Sequence, residues 1–321
     1  MFIRKKWYVA AWGSEVGQGM LGRRILNEPV LIHRLENGEA VAIGDRCPHR
    51  FAPLHIGRKL GDNVQCGYHG LSFGPDGSCV GNPRSGGQVP PGTQVKSYPL
   101  VERKGLLWIW MGDPAEATVE TIPPLEFLIE GDERYGPGYL HVRADYRLVI
   151  DNLMDLGHAA FLHEETLFRL TPAMNDGTLS VRRDGETITA GIAMPGIDLP
   201  GVPGRVDQWL DMHWTAPAIL VLDLGHVAEG AVRPNHGRLG LHAITPETDQ
   251  TSHYFFSGTA NLASLKRNPF TEEDEPMLAA CQEMMAGAEF WSLKPAVLPT
   301  DAGAIMVRRQ LDKLLREEAS V

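Results

Sequence analysis

Two pairs of ligand-type residues stand out in this 321-residue chain. Residues 47–50 read CPHR and residues 66–70 read CGYHG, so Cys47-x-His49 is followed, after sixteen intervening residues, by Cys66-x-x-His69. Two thiolates and two imidazoles can hold zinc or a two-iron cluster. A zinc finger would usually place its histidines together, whereas here each cysteine has its own. That alternation suits a [2Fe–2S] centre in which two histidines replace two cysteines on one iron. The alternatives are a zinc site, or two buried cysteines with incidental histidines. A second stretch, DNLMDLGHAAFLH at residues 151–163, sets two acids and an amide upstream of His158 and His163. On a regular helix five residues turn by about 140°. Either one histidine is structural, or the helix is broken to aim both at one point. Two imidazoles and one carboxylate form the triad that leaves positions open on Fe(II) for O₂.

The elements that must position these residues follow from pattern. WYVAAW, PVLIHRL, EAVAIGD and GLLWIWMG read as short strands, and GPDGS and NPRSGG as turns. MGDPAEATVETIPP has the composition of a linker, and GYLHVRADYRLV reads as a strand leading into the histidine stretch. Residues 179–260 are again strand-like, for example ETITAGIAM and HYFFSGTA. One helix is expected from about Thr271 through MLAACQEMM, and another over residues 301–317, with Ile305, Leu311, Leu314 and Leu315 along one side. The net charge of −10 argues against nucleic-acid binding, which wants a basic face. No apolar run approaches the ~20 residues that span a bilayer. The apolar patch after MFIRKK is too short and aromatic for a signal peptide, so the expected location is cytoplasmic. Four cysteines in a chain this long do not make a disulfide framework.

RCPHRFAPL and CGYHGLSF, followed by GSCVGNP, resemble the Rieske domain of the Rieske non-haem iron oxygenases. The resemblance implies Cys47 and Cys66 on the inner iron and His49 and His69 on the outer one, with Cys79 outside the ligand set. It also implies a mononuclear Fe(II) site, because Asn152, Asp155, His158 and His163 match the family's pattern position by position. The helix would then be interrupted over residues 157–163. A metal-bound histidine usually donates its other N–H to a carboxylate, a role that suits Asp155. The third ligand implied is Asp274, in TEEDEPMLAACQ, with Glu273 and Asp301 as fallbacks. The plain alternative for Asp274 is a capping box with Thr271, and for His158 and His163 satisfied core histidines.

Nearly the whole chain resembles the vanillate and dicamba O-demethylase group. The expected fold is α+β: an all-β Rieske domain over residues 1–115, then a helix-grip catalytic domain over 116–321, an antiparallel sheet around a long helix. The implied protein is the terminal oxygenase of a monooxygenase system. It would use O₂ and electrons from a ferredoxin or flavin reductase to hydroxylate an aromatic substrate, with O-demethylation of a methoxy-arene as the leading reaction and a homotrimer as the assembly. Hydroxylation or heteroatom oxidation of another arene or heterocycle is the alternative. A Rieske electron-transfer protein or a ligand carrier would not need the second metal set. His242 matches a histidine that recognises the substrate carboxylate in the dicamba group. The asparagine that assists it falls at about Leu222 in this chain, which weakens the case for a carboxylate. His242 as a satisfied strand residue is the alternative. The segment between Asp274 and Asp301 is shorter than usual for the group.

Overall fold

The computed structural model describes residues 1–129, 136–166, 171–258 and 267–320. The chain divides into two compact units, Phe2–Pro124 and Leu125–Val321, with Met1 joining the second. In the first unit the strands are β1 (Trp7–Trp12), β2 (Met20–Ile25), β3 (Glu28–Arg34), β4 (Ala40–Gly44), β5 (Arg58–Leu60), β6 (Asn63–Gln65), β7 (Ser72–Phe73), β8 (Cys79–Gly81), β9 (Ser97–Tyr98), β10 (Leu100–Arg103) and β11 (Leu106–Trp110). They form three antiparallel sheets, ordered β1-β11-β10, β2-β3-β4-β9 and β5-β6-β7-β8. β1 and β11 are buried along their full length, which is why their sequences are apolar runs rather than alternating ones. The expected linker at residues 111–124 belongs to this unit and carries two 3-10 turns, Pro114–Glu116 and Val119–Thr121.

The second unit is one seven-stranded antiparallel sheet with helices on one face. Its strands are β12 (Gly138–Val142), β13 (Thr178–Asp184), β14 (Thr187–Asp198), β15 (Arg205–Thr215), β16 (Ile219–Ala228), β17 (Arg238–Pro246) and β18 (Ser252–Ser257), in the order β12-β18-β17-β16-β15-β14-β13. The helices are α1 (Tyr146–Met154), α2 (Ala159–Leu162), α3 (Thr171–Asn175), α4 (Glu275–Met284) and α5 (Ala302–Ala319). The GYLHVRADYRLV segment is strand only to Val142. Asp145 caps a helix there, its side chain accepting the Arg147 N–H.

α1 packs against β15 and β17, and α5 packs against α1 and β14. A Cβ at Gly303 would lie 2.8 Å from Ala190 Cβ, so only glycine lets α5 approach this closely. Register puts Met212 opposite Ala190, and Trp214, Leu220 and His242 in one row two residues along. These side chains therefore share the helix-covered face. No helix among the described residues is long and apolar enough to cross a membrane.

α1 and α5 are joined by Asp151 and Arg308. The guanidinium Nε lies 2.8 Å from Asp151 Oδ2, and Phe290 stacks on the other side with its centroid 3.8 Å from Arg308 Cζ. Burial pushes the Asp151 carboxyl above its ordinary range despite Arg308 beside it. Such a pair is no great net gain, but removing one member strands the other. Arg308→Met is expected to lower the stability of this unit by about 3 kcal/mol in urea unfolding.

Candidate metal centres

The loops after β4 and β6 are built alike. In each, the cysteine N–H donates to the carbonyl five residues on, and the cysteine carbonyl accepts the N–H four residues on. Cys47 pairs this way with Ala52 and Phe51, and Cys66 with Leu71 and Gly70. The fourth residue has positive φ in both, 61° at Phe51 and 80° at Gly70. A Cβ at Gly70 would also meet Pro83 Cγ at 2.7 Å, so glycine is required where the Pro83 turn lies over the loop. Both cysteines are buried among Leu31, Ile43, Leu54, Val64, Leu71 and Phe73. His49 is exposed and His69 half-buried, their ring centroids 4.5 Å apart. All four cysteines of the chain are free. Burial pushes the Cys47 thiol up, and Cys66 beside it pushes the same way. A metal that displaces the protons removes that cost. His69 is lowered by partial desolvation and by the neighbouring His49, Arg84 and Arg50, which favours the neutral, ligating ring. Two inward thiols and two outward imidazoles fit a [2Fe–2S] cluster with its histidine iron facing out. Cys79 packs at the edge of the same apolar cluster as Cys47 and Cys66, but its thiol donates to the Gly81 carbonyl at 3.6 Å.

The second group is assembled by two irregular helix segments. α1 ends at Met154, and Asp155 adopts φ −94° and ψ 93°. Its Oδ1 accepts the Gly157 N–H at 2.9 Å and opens a 3-10 turn, Leu156–His158, that runs into α2. The interruption thus begins at Asp155, two residues before the span expected from sequence, because an aspartate side chain competes for the backbone N–H groups ahead of it. The redirected chain brings His158 Nε2 to 3.3 Å from His163 Nε2. Opposite them, a π-helical turn, Pro269–Asp274, leads into α4 and buries Glu273 and Asp274 together. Asp274 Oδ1 lies 3.6 Å from His158 Nε2 and 3.4 Å from His163 Nε2. Three donors at these separations fit one ion at about 2.0–2.1 Å from each, an ordinary metal–imidazole length. An ion at that distance lies close to the plane of the three donors, and positions above and below that plane stay open.

Each of the three donor residues is held by a neighbour. Asn152 Nδ2 donates to Asp274 Oδ1 at 3.1 Å. His163 Nδ1 meets Glu273 Oε2 at 2.7 Å, and Thr166 Oγ1 donates to the same oxygen at 2.7 Å. Burial opposes charge on the His163 ring, but Asp274 and Glu273 outweigh it and raise its pKa. His158 Nδ1 bonds to the main-chain carbonyl of Asp155 rather than to its carboxylate, which corrects the expectation from sequence. The carboxylate is occupied as the cap of the 3-10 turn. The Thr271–Asp274 capping box does not form either. The cap is Asn268, whose Oδ1 accepts the N–H groups of Phe270 and Thr271 at 3.0 and 3.3 Å. Asp301 serves its own turn, accepting the Leu298 N–H at 2.6 Å.

Known proteins bear on both centres. A model of the Rieske [2Fe–2S] domain matches residues 6–99, and a model of the vanillate O-demethylase oxygenase C-terminal domain matches residues 142–317. The chain belongs to the Rieske non-haem iron oxygenases. This oxygenase is 40% identical to the oxygenase component of chloroacetanilide N-alkylformylase from Rhizorhabdus wittichii, over 99% of this chain and 97% of that one. It is 36% identical to the oxygenase component of dicamba O-demethylase from Stenotrophomonas maltophilia, over 99% of both. A crystal structure of dicamba monooxygenase bound to 3,6-dichlorosalicylic acid superposes with a TM-score of 0.89 at 35% identity, covering 100% of this chain and 99% of that one. The oxygenase accordingly takes a Rieske cluster and a mononuclear non-haem iron as cofactors.

His242 lies in the oxygenase's helix-covered row, 2% exposed, with Nδ1 bonded to Tyr254 Oη. Among the described residues its buried Nε2 has no partner. Burial lowers its pKa to about 4, so the ring is neutral near pH 7. Leu222 is half-buried on the same face, paired with Gly240 two residues along from the Leu220–His242 pair. Sequence reasoning did not find Thr166, Tyr254 or the Asn268 cap. The alternation in HYFFS, which puts Tyr254 and Phe256 on one face, was the available signal for Tyr254. Asp211, His213 and Asp223 also cluster, but Arg182 and Arg233 meet their charges. Asn268→Ala is expected to cost about 1 kcal/mol in thermal or urea unfolding by loss of the cap, whereas Asp274→Asn should show no such capping loss.

Proposed function

We propose that Cys47, His49, Cys66 and His69 hold the cluster, that His158, His163 and Asp274 hold the iron, and that the oxygenase hydroxylates the methyl carbon of a methoxy-arene. The convergence of the three donor atoms 3.3–3.6 Å apart carries this reading. When bound, the iron supplies O₂ activation with electrons delivered through the cluster. The protein's part is positioning. Glu273 and the Asp155 carbonyl fix both rings with Nε2 toward the metal, and Asn152 holds the Asp274 carboxylate. Hydroxylation of the methyl group gives a hemiacetal that collapses to a phenol and formaldehyde. The name of the 40% identical relative favours a second reading, oxidative dealkylation at nitrogen.

Electrons come from a ferredoxin or flavin reductase in this proposal, and the chain works as a homotrimer in which the cluster of one copy faces the iron of the next. Asp155 supports it. Its carbonyl takes the His158 N–H and its Oδ1 the Gly157 N–H, which leaves Oδ2 for the His69 ring N–H of a neighbouring copy. His163→Ala should abolish formaldehyde release while the visible spectrum of the cluster persists. Continued product formation would remove His163 from the site. Glu273→Gln should weaken iron binding about 10–100-fold, read by metal analysis after dialysis. Asp155→Asn should keep both metals and the trimer but slow cluster reoxidation in single turnover. A wild-type rate there would refute the bridge.

A further inference from the structure

Tyr254 and His242 form a pair with one atom left over. Tyr254 is fully buried, and burial holds its hydroxyl far above the ordinary phenol range, so it keeps its proton. Among the described residues its oxygen has no hydrogen-bond partner except His242 Nδ1. A buried hydroxyl must place its proton somewhere, and Nδ1 is the acceptor available. The ring's own proton is then on Nε2. Among the described residues that N–H is buried with no partner, an unfavourable state unless a ligand accepts it.

The surroundings define the acceptor. Leu220 and Phe256 flank His242 in the sheet, Leu222 lies diagonally next to it, and Phe270 stands edge-on over it at 5.8 Å. Trp214, in the same row, has a buried Nε1–H that also lacks a partner among the described residues. Among the described residues the charged side chain that acts on His242 is Asp274, whose charge the proposed iron would offset. A carboxylate or sulfonate seated here would exchange water for neutral donors among apolar side chains, a poor exchange. A carbonyl oxygen would satisfy the N–H and carry no charge to desolvate.

We propose that the oxygenase selects an uncharged arene through a hydrogen bond from His242 Nε2–H to a neutral carbonyl oxygen, with Tyr254 as the positioning residue that fixes the tautomer. This rests on the reaction proposed above. Its test is a binding measurement that needs no turnover, so failed selectivity and failed chemistry give different results.

Calorimetric titration of the oxidised holoenzyme with 3-methoxybenzamide and 3-methoxybenzoate compares two probes of nearly one shape. The amide should bind about tenfold tighter or more. His242→Leu should erase the preference, and His242→Gln, which keeps an N–H donor, should retain part of it. Tyr254→Phe should reduce the preference severalfold with the cluster spectrum unchanged. Leu222→Asn, which adds a donor beside His242, should recover binding of the benzoate. Equal or tighter binding of the benzoate by the unaltered oxygenase would overturn the proposal. An unchanged ratio in Tyr254→Phe would remove Tyr254 from it.

Discussion

Three donor atoms, two imidazole nitrogens and a carboxylate oxygen, have to meet within 3.3–3.6 Å, and regular helices cannot bring them there. Residues five apart on a straight helix diverge by about 140°. The catalytic unit meets this constraint by departing from regularity twice. Asp155 breaks α1 with its own side chain, and Pro269–Asp274 winds as a π-turn under an asparagine cap. Each departure also supplies a fastening: the Asp155 carbonyl holds His158, and Glu273 holds His163. A π-turn at a site of chemistry is a recurrent solution. The sheet and α5 then serve as a frame that keeps two irregular segments in register, with Arg308 tying α5 to the helix that ends at the break.

The first unit solves a different problem with a repeated part. Two loops share one backbone pattern, each with its cysteine at the buried end and its histidine at the exposed end. Packing the thiols into the apolar core and leaving the imidazoles at the surface would separate by environment the two irons of a cluster held there. That separation suits a cluster that must exchange electrons with outside partners. The price is a left-handed residue in each loop, glycine in one and Phe51 in the other.

Around His242 the sheet shows a third kind of constraint. A buried tyrosine and histidine satisfy each other and leave one N–H aimed into apolar surroundings. The polar atoms left unpaired on a buried face are few, so they carry more discrimination than the many apolar contacts about them. His242 lies in the same unit as His158, His163 and Asp274, so the proposed recognition and the proposed iron site share one unit.

Much of this was legible in the residues. The paired Cys-x-His and Cys-x-x-His spacing, and the two histidines after Asp155, announced two metal sites, because ligand chemistry admits few residue types and local spacing survives in sequence. Buried runs such as WYVAAW and LLWIW declared their strands for the same local reason. What stayed hidden depended on approach from far along the chain. Asp274 was implied as a ligand by resemblance, but its neighbouring residues also allowed a cap; the fold placed Asn268 at the helix start and the carboxylate beside two imidazoles more than a hundred positions earlier. Asp155 looked like an acceptor for His158, and the fold used its carbonyl instead, since the side chain was needed to break the helix. The Tyr254–His242 bond arises from the register of β17 against β18. Residue types and spacing determined which atoms were available to bind metal; only tertiary structure decided which of them met, because hydrogen bonds and metal sites depend on distances that sequence separation does not encode.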